Sequence, residues 1–77
     1  MTNTRLRARK REPLHGGQAI RRALAVLRTL AVGGEKGVPL AEVVQATSLT
    51  RPTVHRIVHV LIEEGIVERS ERTGNYV

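Results

Sequence analysis

The apolar positions of this chain fall first at helical spacing and then, near the end, in short runs. From Gln18 to Val32, Ile20, Ala23, Leu24, Leu27, Leu30 and Ala31 recur at i, i+3, i+4 and i+7. That period predicts a first helix with these residues on its buried face. Arg21, Arg28 and Thr29 fall on the other side, and Val26 sits on the shoulder of the arc, as core edge or as part of a dimer contact. Gly33-Gly34 should end the helix, because glycine accepts the left-handed conformation common just past a helix C-terminus. Glu35-Lys36-Gly37 reads as a turn and Val38-Pro39 as a very short strand. A second helix is expected from about Leu40 to Ala46, with Pro39 at its start and Leu40, Val43 and Val44 inward. Thr47-Ser48-Leu49 is the connection to the next element.

A third helix is predicted from about Thr50 to about Glu64, with Thr50 as its cap. Pro52 is tolerated in the first turn but biases Arg51 away from helical geometry, so the start falls between Thr50 and Pro52. On a wheel, Val54, Ile57, Val58, Leu61 and Ile62 share the inner arc. Pro52, His55, Arg56, His59 and Glu63 share the outer arc, with Thr53 at its margin. Gly65 stops the helix, and the pattern changes. Ile66 to Arg69 and Asn75 to Val77 read as two short strands around a Ser70–Gly74 loop. The expected fold is mainly α with a small β-hairpin: a three-helix winged helix-turn-helix. The helix-turn-helix lies at about 40–59 and the wing at about 66–77.

That order of elements gives the outer arc of the third helix a meaning. A helix, a short turn and a second helix place the latter in a DNA major groove. The outer arc carries an arginine, two imidazoles and a hydroxyl, all able to reach base edges or phosphates. Glu63 on the same arc is repelled by phosphate, so the N-terminal half of the helix is expected to enter the groove. The positive end of the helix dipole points the same way. Arg56 is the leading base contact, because arginine grips guanine through two hydrogen bonds. Thr50, Arg51, Pro52, Thr53, His55 and His59 complete the helical contact set, with Arg51 better placed for a phosphate. Arg69, Arg72, Thr73 and Asn75 would set the wing against the backbone or minor groove. Arg22 and the Leu40–Ala41 amides are candidates for flanking phosphates.

Charge agrees with this picture. Thirteen Lys and Arg against seven Asp and Glu give a net charge of +6 over 77 residues. Such a balance points to a polyanion, nucleic acid before an acidic membrane surface. Tyr76 is the sole aromatic residue, so the stacking platform of single-strand binders is missing and double-stranded DNA gains. Cysteine is absent, so aliphatic packing must hold the fold. Residues 1–14 crowd Arg5, Arg7, Arg9, Lys10 and Arg11 into a stretch without sustained period. They read as a basic flexible tail ahead of a DNA-binding domain at 15–77. No stretch is long enough for a membrane span, and no apolar run follows the basic N-terminus as in a secretory signal. A cytoplasmic location is expected.

Other chemistries fit less well. His55 and His59 have the spacing of metal ligands on one helix face, but Arg56 stands where a zinc protease has its glutamate and no third ligand is evident. Metal and cofactor are therefore expected to be absent. Gly33, Gly34, Gly37 and Lys36 hint at a phosphate loop, but no Gly-Lys-Ser/Thr follows. No catalytic residue stands out, and a domain this small has little room for a pocket, so an enzyme is not expected. The remaining alternative is a winged helix used for protein contacts. It predicts an apolar outer face on the third helix, where this chain has Arg, His and Thr.

Several blocks resemble a known family. Gln18-Ala19-Ile20-Arg21-Arg22-Ala23-Leu24-Ala25-Val26-Leu27, Val38-Pro39-Leu40-Ala41-Glu42-Val43 and Leu49-Thr50-Arg51-Pro52-Thr53-Val54-His55-Arg56-Ile57-Val58 are similar to the N-terminal domain of IclR-type (isocitrate lyase regulator) transcription regulators. Thr73-Gly74-Asn75-Tyr76-Val77 resembles the family's wing. The resemblance covers about residues 16–77. Ser48 departs from the family's usual turn glycine, Pro52 from a usual serine, and Thr50 from a frequent proline. The Pro52 departure puts one hydroxyl contact to DNA in doubt. The resemblance implies a bacterial regulator that binds a palindromic operator as a homodimer or higher assembly. It also implies a C-terminal domain that binds a small organic effector. That domain is absent from this chain, which is expected to be an isolated or truncated reading head.

Overall fold

A computed structural model describes residues 17–77, so the basic tail predicted for residues 1–14 lies outside the described residues. The elements run α1 (Gln18–Val32), a 3₁₀ turn (Gly34–Lys36), α2 (Leu40–Thr47) and α3 (Arg51–Glu63). All three helices pack against one another. Their shared core is Val26, Leu30, Val38, Val43, Val54, Val58, Leu61, Val67 and Tyr76, with Leu27, Leu40, Val44, Leu49, Ile57 and Ile62 against it. The four largest fully buried side chains are all valines. With one aromatic residue in the chain, the helices are held by small β-branched side chains.

α2 and α3 form as the periodicity predicts. Pro39 caps α2 in extended geometry at φ −70°, ψ 153°, and its carbonyl accepts the Glu42 and Val43 N–H groups at 3.0 and 3.3 Å. α2 runs one residue past the predicted end. The Thr47 hydroxyl donates to the Val43 carbonyl at 2.7 Å and accepts the Leu49 N–H at 3.3 Å. Ser48 then turns the chain with φ 60°, the left-handed region that a residue with a Cβ enters only at a cost.

α1 corrects the predicted face. Val26, placed on the shoulder, is fully buried, whereas Ile20 and Leu24, placed in the core, are 65% and 45% exposed. Ala31 is exposed as well. At 100° per residue the buried arc is turned by roughly a quarter turn from the expected one. The cause is a broad apolar arc in which Val26 and Leu30 compete with Ile20 and Leu24 for one narrow core. The Gly33-Gly34 pair ends the helix as expected: Gly33 keeps right-handed geometry at φ −72°, and the left-handed step falls on Gly34 at φ 62°.

The predicted β-hairpin is not formed as two strands. Residues 66–77 double back, but the pairing amounts to isolated antiparallel bridges, Val38 with Tyr76 and Arg69 with Tyr76. The backbone explains why. The Ile66 and Val67 N–H groups donate to the Leu61 carbonyl at 2.9 and 3.3 Å, closing the end of α3 rather than a ladder. Pairing begins only at Glu68, which exchanges both backbone bonds with Val77 at 3.0 and 2.8 Å. On the other flank Tyr76 exchanges both bonds with Val38 at 2.8 and 2.9 Å. Pro39 follows at once, and having no N–H it cannot extend that pairing. Gly37 makes the approach possible. A Cβ there would lie 2.8 Å from the Tyr76 carbonyl oxygen and 3.0 Å from the Asn75 Cβ.

Candidate nucleic-acid interface

The start of α3 is fixed by one hydroxyl. Thr50 holds extended geometry, and its Oγ1 accepts the Thr53 N–H at 3.4 Å. The same oxygen donates its proton to Thr53 Oγ1 at 2.8 Å. A hydroxyl has one proton, so Thr50 has none left to give and Thr53 keeps its own to donate outward. Pro52 lies within the first turn, where an N–H would have no helical acceptor.

From that anchored end the helix exposes one side. Val54, Val58 and Leu61 are buried beneath it, and Arg51, Pro52, His55, Arg56, His59 and Glu63 are exposed, with Thr53 half-buried. The outer arc read from the sequence is therefore one continuous surface. Among the described residues, no side-chain hydrogen bond or ion pair engages Arg51 or Arg56. Their guanidinium groups are available to a partner. The His55 and His59 rings stack with centroids 6.5 Å apart and planes at 12°. His59 Nε2 lies 3.5 Å from Glu63 Oε2. Arg22 of α1 joins the same region, lining a shallow cleft with Ala19, Thr53, Arg56 and Ile57.

The candidate contact residues of 66–77 also make bonds within the chain. Arg69 Nε donates to the Gly74 carbonyl at 3.2 Å, and its guanidinium carbon lies 5.8 Å from the centre of the Tyr76 ring. Asn75 Nδ2 donates to the Lys36 carbonyl at 3.1 Å. Thr73 Oγ1 accepts the Asn75 N–H at 3.1 Å, and the Thr73 N–H donates to Ser70 Oγ at 3.3 Å. These groups brace the loop and tie it to the 3₁₀ turn ahead of α2. Arg72 is exposed on the loop, with no side-chain partner among the described residues. The reading by residue type did not single out Ser70, Lys36 or Gly37 for this bracing. Lys36 supplies only a main-chain oxygen, which carries no residue signal, whereas Gly37 flanked by Lys36 and Val38 was a visible cue to a close backbone approach.

A short helix, a left-handed turn and a second helix with a cationic exposed face define a DNA-binding helix-turn-helix. Residues 19–71 match the model of the IclR helix-turn-helix domain, and the chain belongs to that family of transcription regulators. It is similar to the glycerol operon regulatory proteins of Streptomyces coelicolor and Streptomyces griseus, each 39% identical over 59 residues, or 77% of this chain. The chain spans 23% of the length of these relatives. No solved structure matches it. No helix among the described residues is long and apolar enough to cross a membrane.

Proposed function

We propose that this chain is the operator-reading head of a bacterial transcription regulator, binding double-stranded DNA in a sequence-specific way. The N-terminal half of α3 enters the major groove, and residues 66–77 act as a wing on the backbone or minor groove. The observation that carries this reading is the exposed arc of Pro52, His55, Arg56 and His59 above a buried valine seam. Arg56 reads a guanine, Arg51 and Arg22 take phosphates, and Thr53 donates its own hydroxyl proton, that of Thr50 being held by Thr53 Oγ1. In the wing Arg72 is the free cation, while Arg69, Thr73 and Asn75 hold the loop in the shape that presents it. The whole regulator binds a palindromic site as a homodimer or higher assembly in the cytoplasm, and its effector acts through a C-terminal domain. The similarity to the glycerol operon proteins lies in this DNA-reading segment, so it supports transcription regulation rather than a glycerol-derived effector.

A salt titration of duplex binding tests this. The logarithm of affinity should fall linearly with the logarithm of salt, with a slope of about −0.9 for each phosphate neutralised. An affinity unchanged between low and moderate salt would remove the electrostatic basis of the proposal.

A further inference from the structure

The exposed face of α3 carries titratable groups that an arginine-based reading leaves without a defined role. His55 and His59 are both exposed, stacked 6.5 Å apart, and His59 Nε2 faces Glu63 Oε2 at 3.5 Å. With Pro52, Arg56 and Val60 they line a single shallow groove, so the two imidazoles share a surface with the leading base contact. Every residue of that groove belongs to α3. The charged group that another element brings alongside is Arg22 of α1, in the cleft with Thr53 on the opposite flank of Arg56. The groups facing the imidazoles are thus the Arg56 guanidinium, the Glu63 carboxylate and, one cleft away, the Arg22 guanidinium.

We propose that DNA binding by this chain is proton-linked through His55 and His59, with His59 exchanging the Glu63 carboxylate for a backbone phosphate as an imidazolium. The inference rests on the DNA-reading proposal above. Imidazole is the side chain whose charge ordinarily changes between pH 5 and 8. A phosphate favours the charged form of an imidazole that it meets, and where that pull exceeds what the free chain already supplies the complex holds more protons within that window. By linkage, binding tightens as pH falls through the window and levels off above it. Each imidazolium placed on a phosphate also releases a counterion, so the salt slope steepens in acid.

The test is duplex affinity at pH 8.0 and 6.0, each at several salt concentrations, for the wild-type chain, H55Q, H59Q and the H55Q/H59Q double variant. The wild type should bind about tenfold or more tightly at pH 6.0, with a salt slope steeper by roughly 0.9 per imidazole engaged. In the double variant the ratio of affinities at the two pH values should collapse towards one, whatever its affinity at pH 8.0. Each single variant should retain an intermediate ratio. His15 remains in all of them, so a wild-type ratio in the double variant assigns the effect elsewhere and overturns the proposal. Equal wild-type affinity at both pH values overturns it while leaving the DNA-reading proposal intact. Absence of duplex binding at either pH overturns both.

Discussion

The outer face of α3 and the segment 66–77 carry similar residue types but use them in different ways. On α3 the arginines stand clear: Arg51 and Arg56 have exposed guanidinium groups over a backbone that satisfies itself. In residues 66–77 the backbone pairs over a few residues without forming strands, and side chains add to that bracing. Arg69 bonds Gly74, Asn75 bonds Lys36, and Thr73 takes the Asn75 N–H. A regular helix leaves polar side chains available to a partner. A segment too short for a ladder engages them in its own shape. The same residue type stands free in one place and braces the loop in the other.

Single substitutions test that contrast. The largest effect is expected for Arg56→Ala. Losing a two-bond contact to a base costs about 1–3 kcal/mol of discrimination, roughly 5- to 150-fold at one base pair. Thermal stability should hardly change. A uniform loss over all sequences, measured on a panel of duplexes, would make Arg56 a phosphate contact instead. Thr50→Ala comes next. It removes the cap of α3 and should cost about 1 kcal/mol of stability, lowering the melting temperature by about 4–8 °C for a domain of this size. Asn75→Ala should behave as the loss of a brace. About 1 kcal/mol of stability goes with its bond to Lys36, the preference for bases read by α3 stays, and the salt slope flattens as Arg72 loses its place. A shift in base preference with unchanged melting would instead return Asn75 to direct contact.

The smallest effect concerns the turn between the two helices. Ser48 holds φ 60°, which costs a residue with a Cβ roughly 1 kcal/mol. Glycine avoids that cost but gives up more chain entropy. Ser48→Gly should therefore stabilise by about 0.5 kcal/mol, a gain of a few degrees in a thermal melt. A destabilised variant would show that the serine makes a compensating contact.

The same contrast governs how much was legible in the sequence. α3 could be read almost whole, because one sharp helical period separates Val54, Val58 and Leu61 from His55, Arg56 and His59. Its cap was legible as well, since threonine before a proline-containing first turn is a local signal. The face of α1 was not. Periodicity finds an apolar arc, but which part of it is buried depends on how much partner surface exists, and here Ile20 and Leu24 are left outside. The bracing of residues 66–77 escaped for another reason. Asn75 bonds a backbone carbonyl 39 residues away, a partnership that no residue pattern announces. Spacing therefore located the α3 face, and only the fold separated the arginines that are free from the one that is engaged.

Whether the N-terminal half of α3 is the surface that meets DNA can be seen by titrating the isotope-labelled chain with a selected duplex and following each backbone amide by NMR. The largest shifts should fall on residues 51–59, with smaller ones around Arg72 and near Arg22, and almost none at Leu24 or Val32. Still amides across 51–59, with the shifts gathered instead on the exposed apolar side of α1, would contradict it.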